Sequence, residues 1–100
     1  MIIINLEFGI GENTLTTYKY GSKIYEEQVK NKLYFLNGNT VNMQECLFVF
    51  PNNITGVSSS FVQGLFNPII DKIGYINFEK YVSVQSKSYE LSNIILNYIW

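Results

Sequence analysis

Three consecutive hydroxyls, Ser58-Ser59-Ser60, stand in the run Ile54-Thr55-Gly56-Val57-Ser58-Ser59-Ser60-Phe61 and are the side chains best placed to do chemistry. Upstream, Cys46-Leu47-Phe48-Val49-Phe50 is a β-type run stopped by Pro51, which has no N–H to give a ladder. Downstream, Phe61, Val62, Leu65, Phe66, Ile69, Ile70 and Ile73 recur at the spacing of one helical face. The serines therefore fall at a predicted helix N-terminus, beside unpaired backbone N–H groups and the positive end of the helix dipole. Such a place can hold an anion or present a serine to a kinase. The plainer alternative is an N-cap worth about 1 kcal/mol and nothing else.

Other chemistries find no support in the residue inventory. Histidine is absent, so the usual near-neutral general base is missing, and no lysine lies nearby in sequence to activate Ser59 or Ser60. One cysteine, one aspartate (Asp71) and scattered glutamates offer no metal-ligand spacing. Gly9-Ile10-Gly11 follows a strand-like run, but the third glycine of a dinucleotide fingerprint is missing and no helix starts there. The chain reads as a non-enzyme with no cofactor and no metal.

The composition bounds the partners. Hydrophobic residues make up 47% and charged residues 15%, which excludes disorder and suits one domain over residues 1–100. Net charge is −1 and the lysines are spread singly from Lys19 to Lys87, so no basic patch is expected to meet nucleic acid. So weakly charged a surface also suits self-association, and a homodimer is one expectation. No apolar run approaches the ~18–20 residues of a membrane span. Met1-Ile2-Ile3-Ile4-Asn5-Leu6-Glu7 lacks a basic leader and a cleavage pattern, and reads as a strand. Cys46, at the head of an apolar run, is expected to be a buried thiol, and the expected compartment is the cytoplasm.

The elements that must position the serines follow from periodicity and punctuation. Ile2 to Phe8 suits a strand covered on both faces, ended by Gly9 and Gly11. Asn13 to Gly21 reads as a loop or short edge strand, with Tyr18 and Tyr20 as its exposed contact residues. Ser22 caps a predicted helix with Tyr25, Val29, Leu33 and Leu36 on one face, stopped by Asn37-Gly38-Asn39. The helix after the serines carries Pro68 on its polar side, where a kink is expected, and Gly74 closes it. Tyr81 to Val84 is the next strand. Ser86 or Ser88 caps a last helix with a stripe of Leu91, Ile94, Ile95, Tyr98 and Ile99, and Trp100 follows. The order β–α–β–α–β–α predicts an α/β fold with a mostly parallel or mixed sheet of three to four strands and about three helices.

The strand ending at Phe50 and the segment Ile54 to Leu65 resemble the strand–loop–helix of STAS domains, the sulfate-transporter and anti-sigma-factor-antagonist fold. Val57-Ser58-Ser59-Ser60-Phe61 is closer still to the Ser-Ser-Phe junction of a STAS-like bacterial family of unknown function. Gly21-Ser22-Lys23-Ile24-Tyr25-Glu26-Glu27 resembles that family's first helix, and Gly74-Tyr75-Ile76-Asn77-Phe78 the turn into its last strand. The resemblance implies a non-catalytic regulatory module that binds another protein, of the anti-sigma or ATPase-kinase type. It implies Ser59 as phosphate acceptor with Ser60 in reserve, and a partner surface of Asn52, Asn53, Thr55, Ser58, Phe61 and Gln63. Ser58 stands where the antagonist pattern has an acid, and the chain contains no arginine. Those departures suit a second hypothesis, a small phage- or mobile-element-encoded inhibitor that acts on a host protein through the same scaffold.

Overall fold

The computed structural model describes residues 1–33 and 43–99, and the expectations for Leu36, Asn37-Gly38-Asn39 and Trp100 lie outside them. Strand β1 (Ile2–Asn5) is followed by a two-residue strand β2 (Thr14–Leu15) and helix α1 (Tyr18–Ile24). The helical path continues in a widened turn, Tyr25–Val29, and a tightened one, Lys30–Lys32. Then come β3 (Cys46–Val49), the two-residue β4 (Gly56–Val57), α2 (Ser59–Tyr81), β5 (Val82–Gln85) and α3 (Tyr89–Asn97).

The main sheet has the order β1-β3-β5, all parallel, with Ile4, Phe48 and Val84 in one register row and Ile3, Leu47 and Ser83 in the next. β2 and β4 form a second, smaller parallel pair. The molecule is therefore an α/β protein with a wholly parallel three-stranded sheet, within the range its element order predicts. Crossovers that step in one direction along a sheet place their helices on one face, and α1 and α2 do pack against each other there. The row pointing at them is apolar, with Ile4 and Phe48 fully buried and Val84 partly so, and the rings of Phe48, Phe66 and Phe78 meet edge-on at 5.0 and 5.4 Å. Cys46 lies in the same layer, fully buried, and burial pushes its thiol up to about 11, so it is a core residue as expected.

The opposite face of the sheet is less covered than the isoleucine-rich sequence of β1 predicts. Ile3 is 55% exposed, and α3 packs on β5 at the far side of the sheet. A strand buried on both faces needs a helix on each, and none of the described helices covers the outer side of β1.

Three boundaries also differ from the sequence reading. Helix α1 begins at Tyr18, capped by the Thr17 hydroxyl, which accepts from the Tyr20 N–H at 3.1 Å, so Ser22 is interior to the helix. Tyr20 is consequently no loop contact: it is half-buried, its ring against Phe8 and Phe61. Gly74 does close the helical segment that begins at the serines, as the sequence predicts, but a second helical segment follows it directly within α2. The backbone of Gly74 turns to φ +80°, which glycine adopts cheaply, and helical geometry resumes to Tyr81. Asn77 bridges the break by donating from its amide to the Ile73 carbonyl at 2.9 Å, and Phe78 is returned to the core. The expected turn at Gly74 to Phe78 is thus helix, and β5 starts at Val82. Dihedrals around Pro68 stay helical, so the break falls at Gly74 instead of at the proline. In α3, Ser88 is the cap, Leu91 and Ile95 are buried, and Ile94 and Tyr98 remain exposed.

The helix pair α1–α2 is held at backbone distance. A Cβ on Gly21 would collide with the Phe61 carbonyl oxygen, and a Cβ on Gly64 with that of Tyr18. Gly21→Ala and Gly64→Ala should each cost about 2 kcal/mol or more, since backbone must move apart to admit a methyl group. Gly56→Ala, whose nearest neighbour is a threonine methyl at 3.5 Å, should cost far less. Leu65 and Ile69 are fully buried, and Leu65→Ala should cost about 2–5 kcal/mol. Urea unfolding of the four variants checks the ranking.

Candidate functional site

The serine junction is assembled from two chain segments that run together above the carboxyl ends of β1 and β3. After β3, Phe50 is buried, and Pro51 turns the chain, its carbonyl accepting from the Ile54 N–H at 3.1 Å. Ile54 is fully buried and pins the turn to the core. β4 then lies against β2: the Thr55 N–H donates to the Asn13 carbonyl at 2.7 Å and the Ser58 N–H to that of Leu15 at 2.8 Å. Side chains add to this seam. Asn53 donates from its amide to the Glu12 carbonyl at 2.7 Å, and Thr55 from its hydroxyl to that of Asn13 at 3.2 Å.

Ser58 occupies both of its hydrogen-bonding roles. Its Oγ accepts from the Phe61 N–H at 3.2 Å, the N-cap bond that starts α2, and donates to the Thr16 carbonyl at 2.6 Å. One hydroxyl thus caps α2 and ties it to the residue just before the Thr17 cap of α1. The two helices begin side by side, both with their positive dipole ends toward this surface.

Glu12 closes the back of the junction. Its carboxylate accepts from the Gly9 N–H at 2.8 Å and from the Tyr20 hydroxyl at 2.7 Å. Burial of the phenol, followed by its bond to Glu12, pushes Tyr20 up to about 12.

Of the residues expected to form the site, Asn52, Ser59, Ser60 and Gln63 are exposed, and no hydrogen bond engages the side chains of Ser59 and Ser60 among the described residues. Asn53 and Thr55 are exposed but spend a side-chain bond on the facing segment. Ser58 is structural. Phe61 is fully buried under Phe8 and Tyr20 and cannot meet a partner, because the first turn of α2 has to bring one large ring down onto the core. Glu12, Asn13, Thr16 and Thr17 were not singled out by sequence, although Thr16-Thr17 ahead of a tyrosine-rich run is a usable capping signal.

A concavity lies away from the serine junction, between α3 and the outer side of the sheet. This groove, of about 490 Å³, is lined by Leu47, Ser83, Ser86, Lys87, Tyr89 and Ser92 among others. Ser86 donates to the Ser88 carbonyl at 2.8 Å, which leaves Ser92, at 2.7 Å, as the donor to Ser86. The hydroxyls of Ser86 and Ser92 are therefore engaged, and the groove is remote in sequence from the serine junction.

No family model, curated protein or solved structure matches this chain. Its chemistry must be argued from its own residues. Among those described, no group of three histidine, cysteine, aspartate or glutamate side chains is arranged to hold a metal, and no helix is long and apolar enough to cross a membrane.

Two outcomes follow from the hydrogen bonds of the junction. Ser58→Ala should cost about 1–2 kcal/mol, while Ser59→Ala and Ser60→Ala should each stay within about 0.5 kcal/mol. Ser58→Asp should also destabilise, although aspartate caps isolated helices well, because a carboxylate cannot donate to the Thr16 carbonyl. Thermal melts of the four variants test both statements. For Tyr20, a folded-state value raised above the ordinary 10 means that stability is fully present below pH 10 and is lost as pH rises through about 12. Tyr20→Phe should remove that part of the alkaline loss, as read from denaturant midpoints between pH 9 and pH 12.

Proposed function

We propose that this chain is a non-catalytic regulatory module that binds a protein partner through the surface around the start of α2, with Ser59 as a phosphate acceptor and Ser60 in reserve. The observation that carries this reading is the division of labour among the three serines. Ser58 is consumed by the fold, whereas Ser59 and Ser60 present exposed, unengaged hydroxyls on the first turn of a long helix. A phosphate could be added to either without breaking any hydrogen bond of the junction. It would bring roughly −2 charges to a helix N-terminus, where the dipole favours them, and present the same charge to whatever docks there. Release of an acidic partner of the anti-sigma or ATPase-kinase type is the expected consequence. Asn52 and Gln63 flank the serines on the exposed surface and complete the contact area.

A second reading, an inhibitor of phage or mobile-element origin acting on a host protein, is favoured by one specific contact. The antagonist pattern calls for an acid at position 58, yet here the residue must donate a proton to the Thr16 carbonyl, which an ionised acid cannot do. The junction is built around serine, as in a scaffold that has no kinase to satisfy.

Capture of the partner from the native host, followed by affinity measurements, separates the readings. Under the switch, Ser59→Asp weakens binding by at least about tenfold more than Ser59→Ala, with melting temperatures of both near wild type. Equal affinity for wild type, Ala and Asp forms would remove Ser59 from the regulatory role and favour the inhibitor.

A further inference from the structure

Among the described residues the edge of β1 is unpaired, and it carries no charged side chain and is self-complementary. The Ile2 N–H donates to the Glu45 carbonyl at 2.8 Å and the Leu6 N–H to that of Val49 at 2.9 Å, so the even-numbered residues of the strand face β3. Backbone direction alternates along a strand, and the N–H and C=O of Ile3 and Asn5 therefore point away from the sheet. Among the described residues these groups have no hydrogen-bond partner, and only β3 packs extensively against β1. Natural edges are usually protected by a lysine, a proline or a bulge, and Ile2-Ile3-Ile4-Asn5 carries none of these.

The edge is closed at one point. Gln28, carried on the widened turn after α1, donates from Nε2 to the Glu7 carbonyl at 2.7 Å and accepts from the Glu7 N–H at 2.8 Å. Its amide imitates a neighbouring strand and occupies the next edge-facing residue after Asn5. The open stretch is thereby limited to Met1, Ile3 and Asn5.

We propose that this edge pairs with the same edge of a second copy, antiparallel, with Ile3 on the two-fold axis. In that register Ile3 meets Ile3 and Asn5 meets Met1, so each residue at the pairing is one that Gln28 leaves available. The alternative register, centred on Ile4, would set Met1 against Glu7, whose backbone is already engaged. No charged side chain lies in the paired positions, and a chain of net charge −1 is weakly repelled by its copy. The two-fold contact brings together two Ile3 side chains that are 55% exposed in the monomer and joins the two sheets into one continuous sheet. So short a pairing gives a weak dimer.

Light scattering behind size exclusion, with protomer from ~10 μM to ~1 mM, tests this. Wild type should shift from monomer toward dimer. Ile3→Lys, which places two ammonium groups on the axis, and Ile3→Pro, which deletes an N–H that the monomer's ladder does not use, should each weaken dimerisation by about tenfold or more. Both should keep wild-type circular dichroism. Ile3→Cys should form a disulfide-linked dimer on mild oxidation, because Cys46 is buried, whereas Ile76→Cys, at an 83% exposed position, should cross-link far more slowly. A monomer at all concentrations would overturn the proposal. So would a dimer unaffected by both substitutions at Ile3, or equal cross-linking through positions 3 and 76.

Discussion

The rest of the structure hangs on the backbone contact between α1 and α2 at Gly21 and Gly64. Helices normally keep their axes about 8–10 Å apart because side chains intervene. Here each glycine faces the other helix's main chain, with no room for a methyl group. That approach lets Phe61, Leu65 and Ile24 share one core layer above the sheet, and it brings the two N-termini near enough for one serine hydroxyl to serve both. The early start of α1 belongs to the same constraint, since Gly21 can meet Gly64 only if the helix has already begun by Tyr18.

The serine junction is best understood as a seam between helix starts. Main-chain bonds from β2 to β4, the amide of Asn53 and the hydroxyls of Thr55 and Ser58 all run across it to residues 12–16. Glu12 closes the back by accepting hydrogen bonds from the Gly9 N–H and the Tyr20 hydroxyl. Such a seam is a rigid platform, and the two serines it leaves exposed stand on the platform without being part of it. A change of charge on them would alter what docks while leaving the fold's own bonds alone.

The long apolar periodicities were legible in the sequence: the face from Phe61 to Ile73 and the row Tyr25–Val29–Leu33 are buried as read, and the run from Cys46 forms the central strand with Cys46 and Phe48 in the core. What escaped was set by tertiary contact. Thr17 outcompetes Ser22 as a cap because the glycine contact demands an earlier helix, and nothing local to Ser22 announces that. Gly74 ends the first segment of α2 as read, but the helix that resumes beyond it was not legible, since it depends on Phe78 returning to the core and Asn77 bridging the break. At the site, hydroxyl-rich spacing located the helix start correctly. It could not tell which of three adjacent serines was spent on structure, since that depends on Thr16, far away in sequence.

The all-parallel pairing has a consequence for how the chain is made. Ile2 must wait for Cys46, and Cys46 for Val82, so among the described residues every strand pairing is non-local. During synthesis from the amino end, the isoleucine strand emerges before β3 and stays without that neighbour until a whole helical crossover has followed. Loop-closure entropy is then met twice in succession, which favours slow folding compared with a helical bundle of equal length. The glycine-mediated helix pair, closed before β5 is needed, is the natural nucleus against which the three strands can be gathered in order.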